Sequence, residues 1–200
     1  MLKVGLTGGI ASGKSVVRKL LAERGAFTVD ADAVVHELLG PGTELSHRVA
    51  EEFGREVMRR DGSVDRKKLG AVVFADRVAR ERLNRLVHPR VIAEEKRLLA
   101  QAEGRGEKVA VVDAALMIES GTYRDYDCLV VVSCSRSLQV QRLVARDGIS
   151  SAEAERRIDA QLPVEEKKQY ADYVVDTSGP LAETERQVEE IWKELRRQLQ

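Results

Sequence analysis

The segment Gly8-Gly9-Ile10-Ala11-Ser12-Gly13-Lys14-Ser15 fills every fixed position of the pattern G-x-x-x-x-G-K-[ST]. The apolar residues 2–6 before it predict a buried strand, and residues 16–22 after it predict a helix. A strand, a glycine-rich loop and a helix in this order form a P-loop, whose backbone N–H groups converge on a polyphosphate. We therefore predict a nucleotide-binding site. The alternative interpretation is a glycine-rich turn that binds nothing.

The residues of this loop are assigned distinct roles. Glycine permits the backbone conformation of the loop, and the helix N-terminus adds partial positive charge. Lys14 is expected to reach the outer phosphates, and the Ser15 hydroxyl is expected to ligate Mg²⁺. The predicted nucleotide-binding residues of the loop are Gly9, Ile10, Ala11, Ser12, Gly13, Lys14, Ser15 and Val16.

Length and composition favour one soluble domain. Two hundred residues can bury a core without disulfides, and zero net charge provides no global field that attracts nucleic acid or membrane. Cys128 and Cys134 flank one apolar run; if that run is a strand, they lie too far apart to bridge. The N-terminus shows no signal-peptide anatomy, and no apolar run approaches membrane-spanning length. We expect a cytoplasmic protein without nucleic acid or membrane partners, and the sequence leaves its oligomeric state open.

Two aspartates follow the second predicted strand, which is Phe27-Thr28-Val29. Ligands of an open parallel sheet lie beyond the carboxyl ends of its strands, so Asp30 and Asp32 are expected at the same edge as the P-loop. Either residue can instead cap the helix predicted over residues 33–39. We expect at least one of the two carboxylates to take part in the chemistry.

Residues 40–107 lack strand signals and are predicted to form a helical insertion of the kind that commonly binds a substrate. Asp65 is expected to cap one of its helices. His88-Pro89 is expected to end a short helix over residues 80–87, because the residue before a proline is biased away from helical conformation. A longer helix is expected to begin after this break.

The strongest predicted strand covers residues 108–113 and ends in Asp113. In P-loop NTPases an aspartate at the end of such a strand helps to hold Mg²⁺. Many buried strands also end in aspartate, so the pattern leaves both interpretations open. Further strands are predicted at residues 129–134 and 173–175, and strands alternate with helices along the chain. We therefore predict an α/β fold with a parallel five-stranded sheet.

Arginines follow the fourth predicted strand. Ser135 or Ser137 is expected to start the helix that carries Arg142 and Arg146, which lie one helical turn apart. Ser150 and Glu153 form a capping box for the next helix. Arginine clusters commonly do no more than solvate a surface. After the fourth strand of a P-loop protein they can also close over phosphates as a lid, which we predict for residues 136–170. The last helix is expected to pack through Val188, Ile191, Trp192, Leu195 and Leu199.

Five groups of motifs together resemble the dephospho-CoA kinase family along essentially the whole chain. They are residues 5–15, Val29-Asp30-Ala31-Asp32, His88-Pro89, residues 143–150 with 157–161, and residues 171–176. The resemblance implies ATP-dependent phosphorylation of the ribose 3′-hydroxyl of dephospho-CoA, giving coenzyme A and ADP in the last step of coenzyme A synthesis.

The resemblance also implies an architecture and a set of roles. It predicts one P-loop kinase domain over residues 1–200, with a helical acceptor-binding insertion and a lid, and with ATP and Mg²⁺ as cofactors. Asp32 matches the family's proposed catalytic base, and Arg142 and Arg146 match its lid arginines. The predicted catalytic residues are therefore Asp32, Lys14 and Arg142. Arg146 is expected to bind the nucleotide, and Ser15 and Asp113 are expected to hold the metal.

The chain departs from the family pattern in two places. Ala115-Leu116-Met117-Ile118-Glu119 lacks the usual proline, which removes a fixed φ and leads us to expect a looser turn. Thr177 stands where an asparagine is usual, near the expected adenine side, so base selectivity is in question.

Two other functions are consistent with a P-loop. One is a different small-molecule or nucleoside kinase on the same fold. The other is a GTP-binding switch, since Asp176-Thr177-Ser178-Gly179 fits D-x-x-G. That motif comes too late in the chain to sense a γ-phosphate. The sole asparagine, Asn84, precedes Arg85, so no Asn-Lys-x-Asp guanine motif exists.

Overall fold

The computed structural model describes residues 1–199, apart from the side chains of Phe74 and Ala75. Its strands are β1 (Leu2–Gly8), β2 (Phe27–Asp30), β3 (Val109–Asp113), β4 (Cys128–Ser133) and β5 (Tyr173–Asp176). Its α-helices are α1 (Lys14–Glu23), α2 (Ala31–Leu38), α3 (Glu44–Phe53), α4 (Arg66–Ala75), α5 (Arg77–Gly104), α6 (Arg136–Asp147), α7 (Ser151–Asp159), α8 (Val164–Lys168) and α9 (Leu181–Arg197). Short 3₁₀ turns cover Arg55–Val57 and Thr122–Asp125.

The five strands form one sheet in the order β2-β3-β1-β4-β5. β1 pairs in parallel with β3 and β4, and β4 pairs in parallel with β5. Every residue of β3 and β4 is buried, as continuous apolar strands covered on both faces must be. The predicted α/β class and five-stranded parallel sheet are confirmed.

The chain divides into two compact units, which we call the core unit (residues 1–29 and 101–200) and the helical unit (residues 30–100). In the core unit, the sheet packs with α1 and α9 in one apolar cluster, to which α9 contributes Val188, Ile191 and Leu195. Leu199 was expected to join this stripe, but it lies beyond the end of α9 and is 39% exposed. That expectation is wrong because the helix ends at Arg197, before Leu199, although the periodic pattern of the sequence continues.

The helical unit has its own apolar cluster. Its buried members are Leu39, Leu45, Val49, Phe53, Val57, Val64, Leu69, Val73, Ala79 and Val87. Within the described part of this unit the β-type pairing after β2 is one isolated antiparallel bridge between Met58 and Val64. The predicted helical character of this stretch is therefore confirmed.

Side chains predicted to cap helices do so. The Asp65 carboxylate accepts from the N–H groups of Lys67 and Lys68 at the start of α4. Ser135 and Ser150 accept from the backbone in the same way at α6 and α7. Of the predicted capping box, the structure shows the hydrogen bond from the Glu153 N–H to the Ser150 hydroxyl. The Glu153 carboxylate forms ion pairs with Arg156 and Arg157.

The predicted helix break at His88-Pro89 is wrong, because α5 runs through Pro89 without interruption. Proline leaves a carbonyl of the preceding turn without its N–H partner. Apolar residues on both sides of the proline, including Val87 and Val91, pack into the same cluster. Tertiary packing therefore outweighs the local preference.

Both cysteines are buried and free, as predicted. Burial, with help from the carboxylates of Asp172 and Asp127, raises the pKa of the Cys128 thiol to about 12. A thiol with this pKa stays protonated near neutral pH and is a poor nucleophile. The cysteines therefore act as core residues.

We expect Pro89→Ala to stabilise the protein. Proline in a helix interior costs about 3 kcal/mol, of which about 1 kcal/mol is regained because proline restricts the unfolded chain. Little packing is lost because Pro89 is exposed. The free energy of unfolding, measured by urea denaturation, should rise by about 2 kcal/mol. The exposed neighbour His88 provides the control, and His88→Ala should stay within about 0.5 kcal/mol. A lower stability for Pro89→Ala would contradict this account.

Candidate active site

The P-loop leaves β1 at a point where there is no room for a side chain. A Cβ atom on Gly8 would lie 2.3 Å from the carbonyl oxygen of Val132, its partner residue in β4. Gly13 forms the N-cap of α1 with a φ of +91°, a left-handed conformation that favours glycine. Ala11 also has a positive φ, of 57°. Glycine at positions 8 and 13 is thus a requirement of this backbone path.

The donors of the loop are arranged for an anion. The first N–H groups of α1, which begins at Lys14, have no acceptor within the helix. The Ser12 N–H donates to the Gly9 carbonyl oxygen at 3.1 Å and closes a turn. Within the described residues, the Ser12 hydroxyl is buried and has no hydrogen-bond partner. A glycine-lined cradle with an orphaned hydroxyl at a helix N-terminus fits a phosphate group.

Three successive carbonyl groups of the loop are held by side chains from late in the chain. The Ile10 carbonyl accepts from Gln139 Nε2 at 2.8 Å, and the Ala11 carbonyl accepts from Arg142 Nη1 at 3.3 Å. The Ser12 carbonyl accepts from Thr177 Oγ1 at 2.6 Å. These donors draw the negative ends of the peptide dipoles to the protein side of the loop. The repulsion that a phosphate would meet from the carbonyls is thereby reduced.

Lys14 and Asp113 are brought together by the pairing of β1 with β3. Leu6 and Asp113 are register partners, and the Lys14 Nζ lies 3.8 Å from Asp113 Oδ1. Arg18, one turn further along α1, places its Nε 3.3 Å from Asp113 Oδ2. The Asp113 side chain is largely buried and is balanced by two cations. The sequence left open whether Asp113 helps to hold Mg²⁺ or only ends a buried strand. In the structure it lies beside the P-loop lysine.

The predicted lid arginines lie on α6 and line one cavity of the core unit. Arg142 donates to Ala11, to the Thr177 hydroxyl at 3.1 Å and to the Thr177 carbonyl at 2.9 Å. Arg146 is paired with Asp147 at 2.7 Å. The residues lining the cavity are Ala11, Gly13, Ser15, Val16, Arg142, Ala145, Arg146, Thr177, Gly179, Leu181 and Thr184. Arg142 thus contacts the loop itself, while Arg146 lines the cavity and pairs with the neighbouring Asp147.

Thr177 lines this cavity, but its hydroxyl is committed to the P-loop. The side chain is buried and bridges Ser12 and Arg142. A Cβ on Gly13 would lie 3.1 Å from the Thr177 Oγ1, so the threonine also sits tightly against the loop. The unusual threonine therefore acts on the loop backbone.

Asp30, the last residue of β2, and Asp32 both lie in the helical unit, and their environments differ. The Asp30 Oδ1 accepts from the N–H groups of Asp32 and Ala33, at 3.0 and 3.1 Å, and so caps α2. Asp32 lies in the first turn of α2 and is exposed. The structure thus assigns the cap to Asp30 and leaves the Asp32 carboxylate facing solvent.

Some contacts were not anticipated from the sequence. Lys167 is fully buried, and its Nζ lies 2.8 Å from Glu119 Oε1 and donates to the Ala115 carbonyl at 2.8 Å. This bond, with another from the Thr7 hydroxyl, holds the turn that lacks the usual proline. Lys167 lies in a run of charged residues that ordinarily marks a solvated helix, so no local signal distinguished it.

Comparisons with known proteins identify the family. The family model described as dephospho-CoA kinase matches residues 2–183. A dephospho-CoA kinase of Geobacter sulfurreducens is 44% identical over 189 residues, covering 94% of this chain and 96% of the relative. The chain belongs to the dephospho-CoA kinase family. It is therefore a kinase.

Solved structures agree with this family. Dephospho-CoA kinase from Campylobacter jejuni superposes with a TM-score of 0.72 at 25% identity, covering 96% of each chain. Shikimate kinase from Acinetobacter baumannii superposes with a TM-score of 0.56 at 16% identity, covering 99% of this chain and 94% of that one. The second likeness concerns the fold alone, which is that of the P-loop kinases.

Among the described residues 1–199, no helix has the length and apolarity needed to cross a membrane. The same residues contain no group of three or more His, Cys, Asp or Glu side chains arranged to hold a metal ion. A magnesium site at the P-loop needs no such group, because the substrate phosphates supply part of its coordination.

We expect Thr177→Val to destabilise the protein and to weaken its binding of ATP. Valine keeps the shape but removes the donor to the buried Ser12 carbonyl, and an unsatisfied buried acceptor costs about 1–3 kcal/mol. Urea denaturation and isothermal titration with ATP measure the two effects. Thr177→Ser keeps the hydroxyl and is the matched control. Equal stability and equal ATP affinity of the two variants would contradict this role.

Proposed function

We propose that this kinase transfers the γ-phosphoryl group of ATP in line to the ribose 3′-hydroxyl of dephospho-CoA. The products are coenzyme A and ADP. The observation that carries the proposal is the phosphate cradle of residues 8–15 with Lys14 beside Asp113, in a chain that matches the family along residues 2–183. Catalysis of this reaction depends on positioning and on electrostatic stabilisation.

In this proposal the nucleotide is bound by the loop and by α6. The phosphates lie against the N–H groups at the start of α1, and Lys14 reaches their outer oxygens. The base occupies the cavity lined by Val16, Leu181 and the α6 arginines. Arg146 exchanges its partner Asp147 for a phosphate oxygen, a contact that strengthens as charge develops in the transition state.

Ser15 and Asp113 are the residues that would hold Mg²⁺. A hydroxyl and a carboxylate are hard oxygen donors of the kind that this ion prefers. When bound, the ion neutralises charge on the β- and γ-phosphates. Ser15 is exposed in the first turn of α1, and the cationic groups of Lys14 and Arg18 lie beside the Asp113 carboxylate.

Asp32 is proposed as the base that takes the proton from the 3′-hydroxyl. Its carboxylate is exposed in the first turn of α2. Asp30 is unsuited to this role because its oxygen already accepts two backbone N–H groups. This division of labour is what the sequence left open between the two residues.

The predicted insertion over residues 40–107 is proposed to bind the acceptor, and residues 136–170 are proposed to close as a lid. The second segment contains α6, α7 and α8 and carries both arginines of the cavity. Closure of such a segment excludes water, which would otherwise accept the phosphoryl group. A coupled assay of ADP release with dephospho-CoA, compared with other hydroxyl acceptors, tests the proposed substrate.

We expect Lys14→Ala to lower kcat by about 10²–10³, because it removes a cation that stabilises the transferring phosphoryl group. Lys19 provides a matched control on the same helix, since its side chain is exposed and paired with Glu23. Lys19→Ala should retain the wild-type rate. A Lys14→Ala enzyme with more than about a tenth of that rate would disprove the assigned role.

Asp32→Asn should lower kcat by about 10²–10⁴, because the amide keeps the size of the side chain but cannot accept the proton. ATP affinity, measured by titration, should stay unchanged. Asp30→Asn is the control; we expect it to lower stability more than rate, since Asp30 caps α2. A larger rate loss at Asp30 than at Asp32 would reverse the assignment.

A further inference from the structure

We propose that Gln161 is a positioning residue for phosphoryl transfer, which fixes one peptide of the P-loop. The backbone next to Gln161 is held by the ion pair between the buried Lys167 and Glu119. The inference rests on the proposed function, because it concerns how the loop is set for that reaction. The four side chains involved are Gln161, Gln139, Lys167 and Glu119, which lie in the core unit and touch no reacting atom.

The Ile10 residue of the P-loop is bound from both sides. Its N–H donates to Gln161 Oε1 at 2.8 Å, and its carbonyl accepts from Gln139 Nε2 at 2.8 Å. The two glutamines come from different elements, since Gln139 lies on α6 and Gln161 lies between α7 and α8. Two opposed hydrogen bonds fix the orientation of the backbone at Ile10.

The approach of Gln139 to the loop is close. A Cβ on Gly9 would lie 2.5 Å from Gln139 Nε2, so a side chain at position 9 would displace the glutamine. Gly9 falls at a variable position of the P-loop pattern, where the motif itself does not demand glycine. Glycine at position 9 is therefore explained by the close approach of Gln139 to the loop.

The backbone beside Gln161 is anchored to the loop after β3. Leu162, the next residue, donates its N–H to Glu119 Oε1 at 3.2 Å. The same carboxylate oxygen lies 2.8 Å from Lys167 Nζ. Glu119 thus contacts both ends of the short segment from Leu162 to Lys167, and Gln161 directly precedes that segment.

The network returns to the strand that carries the P-loop. Lys167 Nζ donates to the Ala115 carbonyl, and the hydroxyl of Thr7, the residue before Gly8, donates to the same oxygen at 3.2 Å. Contacts from Thr7 through Ala115, Lys167 and Glu119 therefore lead back to Gln161 and Ile10. A closed set of contacts of this kind resists deformation more than a chain with a free end.

The Lys167 ammonium stays in this network because its neighbours compensate for its burial. Burial lowers the pKa of Lys167, while the Glu119 carboxylate beside it opposes that shift, and the charge of Lys14 adds to the lowering. A buried charge that lost its partner would be strongly unfavourable. The pair therefore holds one geometry, which suits a group that sets the position of another.

The catalytic consequence follows from the geometry of the loop. Donors aimed at developing charge act only if they are already in place, and displacements of about 1 Å lower rates by about 10²-fold. Ile10 directly precedes Ala11, whose left-handed φ of 57° starts the turn into the phosphate cradle. Loss of the Gln161 acceptor would let the backbone at Ile10 rotate and would misdirect the donors that follow it.

Gln161→Met tests the proposal, because methionine keeps the length of the side chain but lacks the acceptor oxygen. Gln169→Met is the matched control, since Gln169 is exposed next to α8. We expect Gln161→Met to lower kcat at least about tenfold relative to the control. The KM for dephospho-CoA and the urea midpoint should match those of the control. Unchanged kcat in Gln161→Met would overturn the proposal. A loss of midpoint with unchanged kcat per folded molecule would also overturn it.

Two further variants separate positioning from a general structural role. Gln139→Met should also lower kcat, and the double variant should lose less than the product of the two single losses, because both side chains act on Ile10. Fully multiplicative losses would overturn the shared action on Ile10. Lys167→Met should lower kcat in the same direction, with Glu119→Gln milder because it keeps the acceptor for Leu162 and Lys167. If Lys167→Met fails to fold, the Gln161 result alone decides.

The failure of this proposal is distinguishable from the failure of the proposed function. Wild-type turnover with dephospho-CoA as acceptor tests the function. The ratio of kcat for Gln161→Met to kcat for Gln169→Met tests the positioning role. It can be measured for phosphoryl transfer or for ATP hydrolysis without an acceptor. If the wild type did not phosphorylate dephospho-CoA, while Gln161→Met hydrolysed ATP more slowly than Gln169→Met, the proposed substrate would be rejected and the positioning role supported.

Discussion

The close passage of β1 against β4 at Gly8 is the constraint on which the active site depends. The Gly8 backbone lies so near the Val132 carbonyl that any side chain would collide with it. Because the chain passes there, the loop that follows emerges at the carboxyl edge of the sheet, between strands paired on both sides. Ligands of parallel sheets bind at this edge. On the other side of β1, its pairing with β3 places Asp113 beside Lys14.

A loop that binds phosphate must turn its N–H groups outward and its carbonyls away, although both belong to the same peptides. This protein meets that demand with side chains supplied by elements distant in sequence. Gln139, Arg142 and Thr177 bind the carbonyls of three successive loop residues. Gln161 instead accepts one of the N–H groups, that of Ile10, and fixes the backbone there. Preorganisation of this kind lets dipoles act on developing charge without further rearrangement. The fold after β4 therefore serves the loop as much as it covers the sheet.

The prediction from sequence succeeded where the signal was local. The P-loop, the five strands, the caps at Asp65, Ser135 and Ser150, and the helical character of the stretch after β2 all follow from spacing and residue type. It failed at Pro89, where the local preference for a helix break is real but is outweighed by apolar packing on both sides. It also failed at Leu199, where the periodic pattern continues past the last turn that packs.

The sequence by itself determined the class of fold, the phosphate-binding loop and the resemblance to a kinase family, because each depends on residues that are neighbours along the chain. Only the tertiary structure decided that Asp30 caps a helix, that Thr177 and Arg142 grip the loop, and that Lys167 is buried against Glu119. Thr177 and Ser12 are 165 residues apart. Contacts over such separations leave no periodicity in the sequence, since they depend on how the sheet and its helices pack. The burial that makes Lys167 exceptional is likewise a property of that packing.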